Sequence, residues 1–190
     1  MLNYRLLQQL APLNFRDERK TETLADYLDR VSPLVPSIPS NVLAQWIYRH
    51  WRGFESNWSF IDLASHQFEC EHWPTAQIIE QIDSRHMEVI DRWGEMLRSN
   101  RYVRRSWLGD DMLRRGTWSE PVIVLATAPG TCYPDGHPLP HPYCLLEGPH
   151  RLGYLRSMAA DGAPLQAQHA LWICRPRSRH LNVFPTKSCL

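Results

Sequence analysis

The chain is expected to fold as an α+β protein, with a small mixed sheet and flanking helices preceded by a helical N-terminal region. Three observations carry this. Val122-Ile123-Val124-Leu125-Ala126 is a β-branched apolar run opened by Pro121, and Tyr143-Cys144-Leu145-Leu146-Glu147 is a second short apolar segment. Between residue 150 and residue 160, Leu152, Leu155 and Ala159 recur at helical spacing. Upstream of residue 100 almost every apolar stretch has a helical rather than an alternating period.

In chain order, Leu6, Leu7 and Leu10 line a short opening helix. A second helix runs from Thr23 to about Val31, with Leu24, Tyr27 and Leu28 on one side. Residues 32–40 hold three prolines and read as an extended connector. Ser40 or Asn41 caps the next helix, whose apolar face is Val42, Leu43, Trp46, Ile47 and His50. Residues 54–68 are ambiguous, and Trp58–Leu63 suits a strand. Pro74 and Thr75 open a helix containing Ile78, Ile79 and Ile82. Another covers Met87 to Asn100 through Ile90, Trp93 and Leu97. Thr127–Pro142 is a loop rich in Pro, Gly and His. Gly148-Pro149 breaks the second strand, His150–Ala160 is a helix ended by Asp161-Gly162, and Ala170–Cys174 is a third strand. These elements divide the chain into a helical extension (1–73), an α+β domain (74–176) and a tail (177–190).

Composition narrows the function classes. The 190 residues include eight tryptophans, which a disordered chain would lack. The net charge of +1 offers no overall basic excess for a nucleic-acid backbone, so nucleic acid is not an expected partner. The local stretches Arg98–Arg105 and Arg175–Arg179 read as solvated faces. No apolar run is long enough for a membrane span or export signal, and five scattered cysteines fit reduced thiols, so the expected location is cytoplasmic.

The chemistry concentrates at the junction Glu147-Gly148-Pro149-His150-Arg151. A glycine allows a tight strand exit, and proline suits the first helical position. Free amides and the helix dipole then favour an anion, which the Arg151 fork can grip. His150 can move a proton, and Glu147 can act as a base or hold a ribose hydroxyl or metal ion. The structural alternative is a Glu147–Arg151 pair that merely caps the helix.

The stretch Glu120-Pro121-Val122-Ile123-Val124-Leu125, a loop, then Leu145-Leu146-Glu147-Gly148-Pro149-His150-Arg151 resembles the ParB/sulfiredoxin superfamily. The resemblance covers residues 74–175. It implies that Gly148, His150 and Arg151 touch nucleotide phosphates, that Glu120 points into the same pocket and that Trp118 stacks on a base. It further implies a nucleoside triphosphate, ATP or CTP, with Mg2+, hydrolysed or used in phosphoryl transfer, with Glu120, Glu147 and His150 catalytic. Pro149 stands where sulfiredoxins carry their cysteine, which argues against that chemistry. No helix-turn-helix follows, which argues against a partition-type DNA-binding protein.

The competing expectation is a non-catalytic protein-binding module of toxin, antitoxin or immunity type. It would carry a vestigial pocket and grip its partner through the Trp-rich face of Trp46, His50, Trp51 and Trp58. A nuclease is a third option, opposed by the modest charge. Cys132, His137, His141 and Cys144 form a weak zinc candidate at spacings of five, four and three, and His66, Cys70 and His72 a weaker one.

Overall fold

The structure is a computed structural model that describes residues 4–13 and 22–177. The expected tail therefore lies, apart from Arg177, outside the described residues. The chain divides into two compact units, the boundary falling between Phe68 and Glu69 and again between Cys174 and Arg175. The α+β class is as expected: helices flank one five-stranded mixed sheet. No helix among the described residues is long and apolar enough to cross a membrane.

The N-terminal unit is helical. Helix α1 (Tyr4–Leu10) and helix α2 (Leu24–Val31) are joined by Arg30, which donates to the carbonyls of Gln9 at 2.6 Å and Ala11 at 3.0 Å and pairs with Glu22 at 2.8 Å. Thr23, expected as the first residue of this helix, is its N-cap and accepts from the Asp26 amide. Residues 32–34 form one 3-10 turn rather than extended chain, because Pro33 falls in the first turn, where no amide is needed. The next helix is not continuous either. The short α3 (Ser40–Val42) runs into a π-helical turn over Leu43–Tyr48, the backbone breaks at His50, and α4 (Trp51–Trp58) begins anew. The break leaves His50 exposed, although the spacing placed it on the apolar face. Trp46 and Phe54 pack edge to face at 5.0 Å. Residues 58–63 are helix end and turn, not strand; Ile61 and Leu63 are buried from that turn.

The second unit holds the sheet, in the order β1 (His66–Trp73), β5 (His169–Pro176), β3 (Val122–Ala126), β4 (Tyr143–Glu147) and β2 (Ile82–Asp83). β3 pairs with β5 in parallel and with β4 antiparallel; β2 pairs with β4 in parallel. Val122 to Leu125 are all buried, as an interior strand covered on both faces requires. β1 is the strand missed by sequence reading. Its composition, His-Gln-Phe-Glu-Cys-Glu-His-Trp, is poor in strand formers and suits a sheet edge. Ile82 leaves the helix α5 (Thr75–Gln81) and enters β2.

Helix α6 (Met87–Ser99) packs against α9 (Pro149–Ala160), and the two backbones nearly touch. A methyl group placed on Gly153 would lie 2.2 Å from the Ile90 carbonyl oxygen, and one on Gly94 would lie 2.5 Å from that of Gly153. Arg98 reaches Ser157 Oγ at 2.8 Å and Arg156 reaches Asp91 at 2.8 Å, bracing the same helix pair. Tyr154, Leu155 and Met158 are buried, so α9 has core on most of its circumference. Two helices absent from the sequence reading, α7 (Arg101–Arg104) and α8 (Trp107–Arg115), connect α6 to β3. Their cues are nonetheless present: Asn100 and Ser106 are N-caps, and Gly116, at φ 66°, ends α8.

Candidate functional site

The strand–turn–helix junction forms as the sequence predicts. The β3–β4 register steps by two residues on β4 between Ile123 and Val124, which makes Leu146 the extra residue of a bulge and turns Glu147 toward the start of α9. Gly148 follows at φ 101°, a backbone region costly to any other residue. Its space is filled from within the chain. A Cβ at this position would meet Val122 Cγ1 at 2.7 Å and the Arg151 guanidinium at 3.0 Å. Pro149 opens α9, and the Leu152 amide donates to the Gly148 carbonyl at 3.0 Å.

Arg151 is the centre of the arrangement. Its side chain is 8% exposed and folds back over the turn. Nη1 donates to the Glu120 carbonyl at 2.9 Å and lies 3.5 Å from Glu120 Oε2. Nη2 donates to Glu147 Oε2, whose side chain is 11% exposed. The structure thus brings together Glu120, Glu147, Gly148 and Arg151, in the Glu147–Arg151 pairing that sequence reasoning held as the structural alternative. As it stands, the Arg151 guanidinium expected to grip phosphate is engaged within the chain, and freeing it would open its pairing with Glu147 and its hydrogen bond to the Glu120 carbonyl.

The other two expected members lie elsewhere. The His150 ring packs edge-on against Trp93, centroids 4.1 Å apart, and burial lowers its pKa, so it is neutral at neutral pH. Trp118 is in the core at 4% exposure; its indole N–H donates to the Ala170 carbonyl at 2.6 Å and its ring tilts against His169. The expected base-stacking role fails on this burial. Of the Trp-rich face, Trp46 and Trp51 are buried in the core, whereas His50 is exposed and Trp58 half-buried.

Sequence reading also missed a buried polar cluster. His169 sits between two hydroxyls, Thr75 Oγ1 at 2.7 Å from Nε2 and Thr117 Oγ1 at 2.8 Å from Nδ1, and burial lowers its pKa. Isolated threonines 42 residues apart in sequence carry no signal for such a cluster.

Neither metal candidate assembles. Among the described residues no group of three or more His, Cys, Asp or Glu side chains is placed to hold an ion. Cys144 is buried beside Tyr133 Oη at 3.4 Å, and burial pushes its thiol up to about 11. His141 Nδ1 lies 2.8 Å from the Thr127 carbonyl. Cys70, Cys144 and Cys174 are free thiols.

No protein-family model, no curated protein and no solved structure matches the chain.

Proposed function

We propose that the chain is a non-catalytic binding module in which the Glu147–Arg151 turn serves as an internal latch and not as a nucleotide-processing centre. The observation that carries this is the Arg151 guanidinium, buried against the Glu120 carbonyl and held by the Glu147 carboxylate. A phosphate-gripping arginine must present free donors to a solvent-open cleft. Here the donors tie the end of β4, the segment leading into β3 and the first turn of α9 to one another. His150 supports the reading, since its ring is used in packing against Trp93. On this view the ParB/sulfiredoxin-like turn is kept for its architecture.

Thermal unfolding of the full chain with ATP, CTP, GTP and ADP, each with magnesium, tests the proposal. A ligand at about 100 times its Kd adds about 2.7 kcal/mol of stability, a shift readily read. The latch reading expects no shift with any of the four. A stabilising shift with one nucleotide, absent from Arg151→Ala, would restore the reading of a nucleotide-dependent hydrolase or phosphotransferase.

A further inference from the structure

The two most exposed large hydrophobic residues among those described are Tyr102, at 72%, and Trp107, at 68%. They lie five positions apart at the corner where α7 meets α8. Isolated exposed apolar residues need no explanation, but two open aromatic rings at one corner do. Arg101, Arg104 and Arg105 surround them, all exposed, and no acidic residue occurs from Arg98 to Trp107. Among the described residues, Arg104 and Arg105 have no side-chain ion pair. Arg101 lies over the Tyr102 ring at 4.9 Å and donates to its hydroxyl at 3.0 Å, holding that ring in place. Of the acids flanking this stretch, Glu95 precedes it on α6, and Asp110 and Asp111 follow it, paired with Arg114 at 2.9 Å and Arg115 at 2.6 Å.

The corner is rigid. Asn100 caps α7 by accepting from the Tyr102 amide at 2.9 Å. The Ser106 hydroxyl donates to the Val103 carbonyl at 2.7 Å and accepts from the Gly109 amide at 3.1 Å. Gly109 sits so close to the Val103 carbonyl that a methyl group would lie 2.2 Å from it. The neighbouring aliphatic residues, Val103 and Leu108, are partly buried against the core. The most open groups of the corner are flat rings and guanidinium groups.

We infer that this corner binds single-stranded nucleic acid: Tyr102 and Trp107 stack on bases while Arg104 and Arg105 contact the phosphates between them. Charge complementarity selects a polyanion, and the rings select one that carries unpaired π-faces. An anionic membrane would be met by a continuous apolar face, and here Val103 and Leu108 are partly buried against the core, which leaves two rings among arginines. The +1 net charge of the chain confines the attraction to this patch. The inference does not depend on the latch, because its ligand is a strand and not a mononucleotide.

Fluorescence anisotropy of a labelled single-stranded oligothymidylate with the full chain, titrated over a range of salt, tests it. Binding at low salt is expected, weakening as salt rises. Tyr102→Ala with Trp107→Ala should weaken it by roughly 5- to 150-fold per stacked base, while Tyr102→Phe with Trp107→Phe should retain it. Arg104→Ala with Arg105→Ala should lower the salt slope by about 1.4. Four results overturn the inference: no binding at low salt; alanine variants that match the parent in affinity and slope; loss in the phenylalanine pair equal to that in the alanine pair; or binding to phosphatidylserine vesicles without binding to the oligonucleotide.

Discussion

Replacing Gly153 by alanine tests whether α6 and α9 owe their close approach to glycine. In a solvent-facing helix this substitution stabilises by about 1 kcal/mol, because alanine loses less backbone entropy on folding. At Gly153 the new methyl group would lie 2.2 Å from the Ile90 carbonyl oxygen, and 3.2 Å from the Gly94 amide nitrogen, where ordinary contact begins at 3.4 Å. Both neighbours are backbone atoms, so no rotamer change relieves the clash, and the helices must separate by roughly 1 Å along a close-packed seam. Overpacking costs about 1–3 kcal/mol, and a rigid backbone contact belongs at the upper end. Less the propensity gain, the net loss is about 2 kcal/mol, a fall in the thermal midpoint of roughly 4–8 °C for a chain of this length. The control is Gly53→Ala in α4, where a methyl group meets nothing within 4 Å. There the propensity term acts alone and the variant should gain about 0.5–1 kcal/mol. Circular dichroism melts of both variants and the parent supply the comparison. A Gly153→Ala midpoint equal to or above the parent's would refute the packing argument.

Two further expectations concern the latch and the buried histidines. Arg151→Ala leaves the Glu147 carboxylate buried without its partner and should destabilise by about 3–5 kcal/mol, whereas Arg151→Met with Glu147→Leu should recover most of that loss in urea unfolding; equal losses in the two variants would show that the ion pair is not what holds the turn. His169 and His150 both have pKa values lowered by burial in the folded state, so below pH ~6.5 the unfolded chain binds protons that the folded chain does not. Their stabilisation is complete above pH ~6.5 and falls as the pH drops toward the folded values, by up to about 1.4 kcal/mol per pH unit for each group. Urea midpoints at about pH 7.5 and about pH 5.5 measure this fall. His169→Gln should shallow it, and an unchanged slope in that variant would remove His169 from the account.

The sequence exposes most where burial is one-sided or complete. β3 and β4 announce themselves because β-branched and apolar residues fill them, and α6 shows its apolar stripe through Ile90 and Leu97. β1 was hidden because an edge strand can be built from Glu and His, and α8 because Asp110, Asp111, Arg114 and Arg115 interrupt its apolar residues. At the candidate site, the types and spacing of Glu147, Gly148 and Arg151 were legible, but their arrangement was not. A carboxylate and a guanidinium four residues apart serve equally to pair with each other or to face a ligand. What decides is the bulge at Leu146 and the direction of the Arg151 side chain, and neither leaves a mark on composition. The tryptophans illustrate the same limit. Helical spacing places Trp46 and Trp51 on a common face, yet an apolar face looks alike whether its own chain or another molecule covers it.

The strand order carries a consequence for synthesis. β5 is the last strand to leave the ribosome and occupies the place between β1 and β3. Until His169 to Cys174 have emerged, the Val122–Leu125 backbone has β4 on one side and an open row of amides and carbonyls on the other. That half-finished ribbon is the species most able to recruit a neighbouring chain, so displacement of His169 to Cys174 from the sheet is where aggregation of this protein would begin.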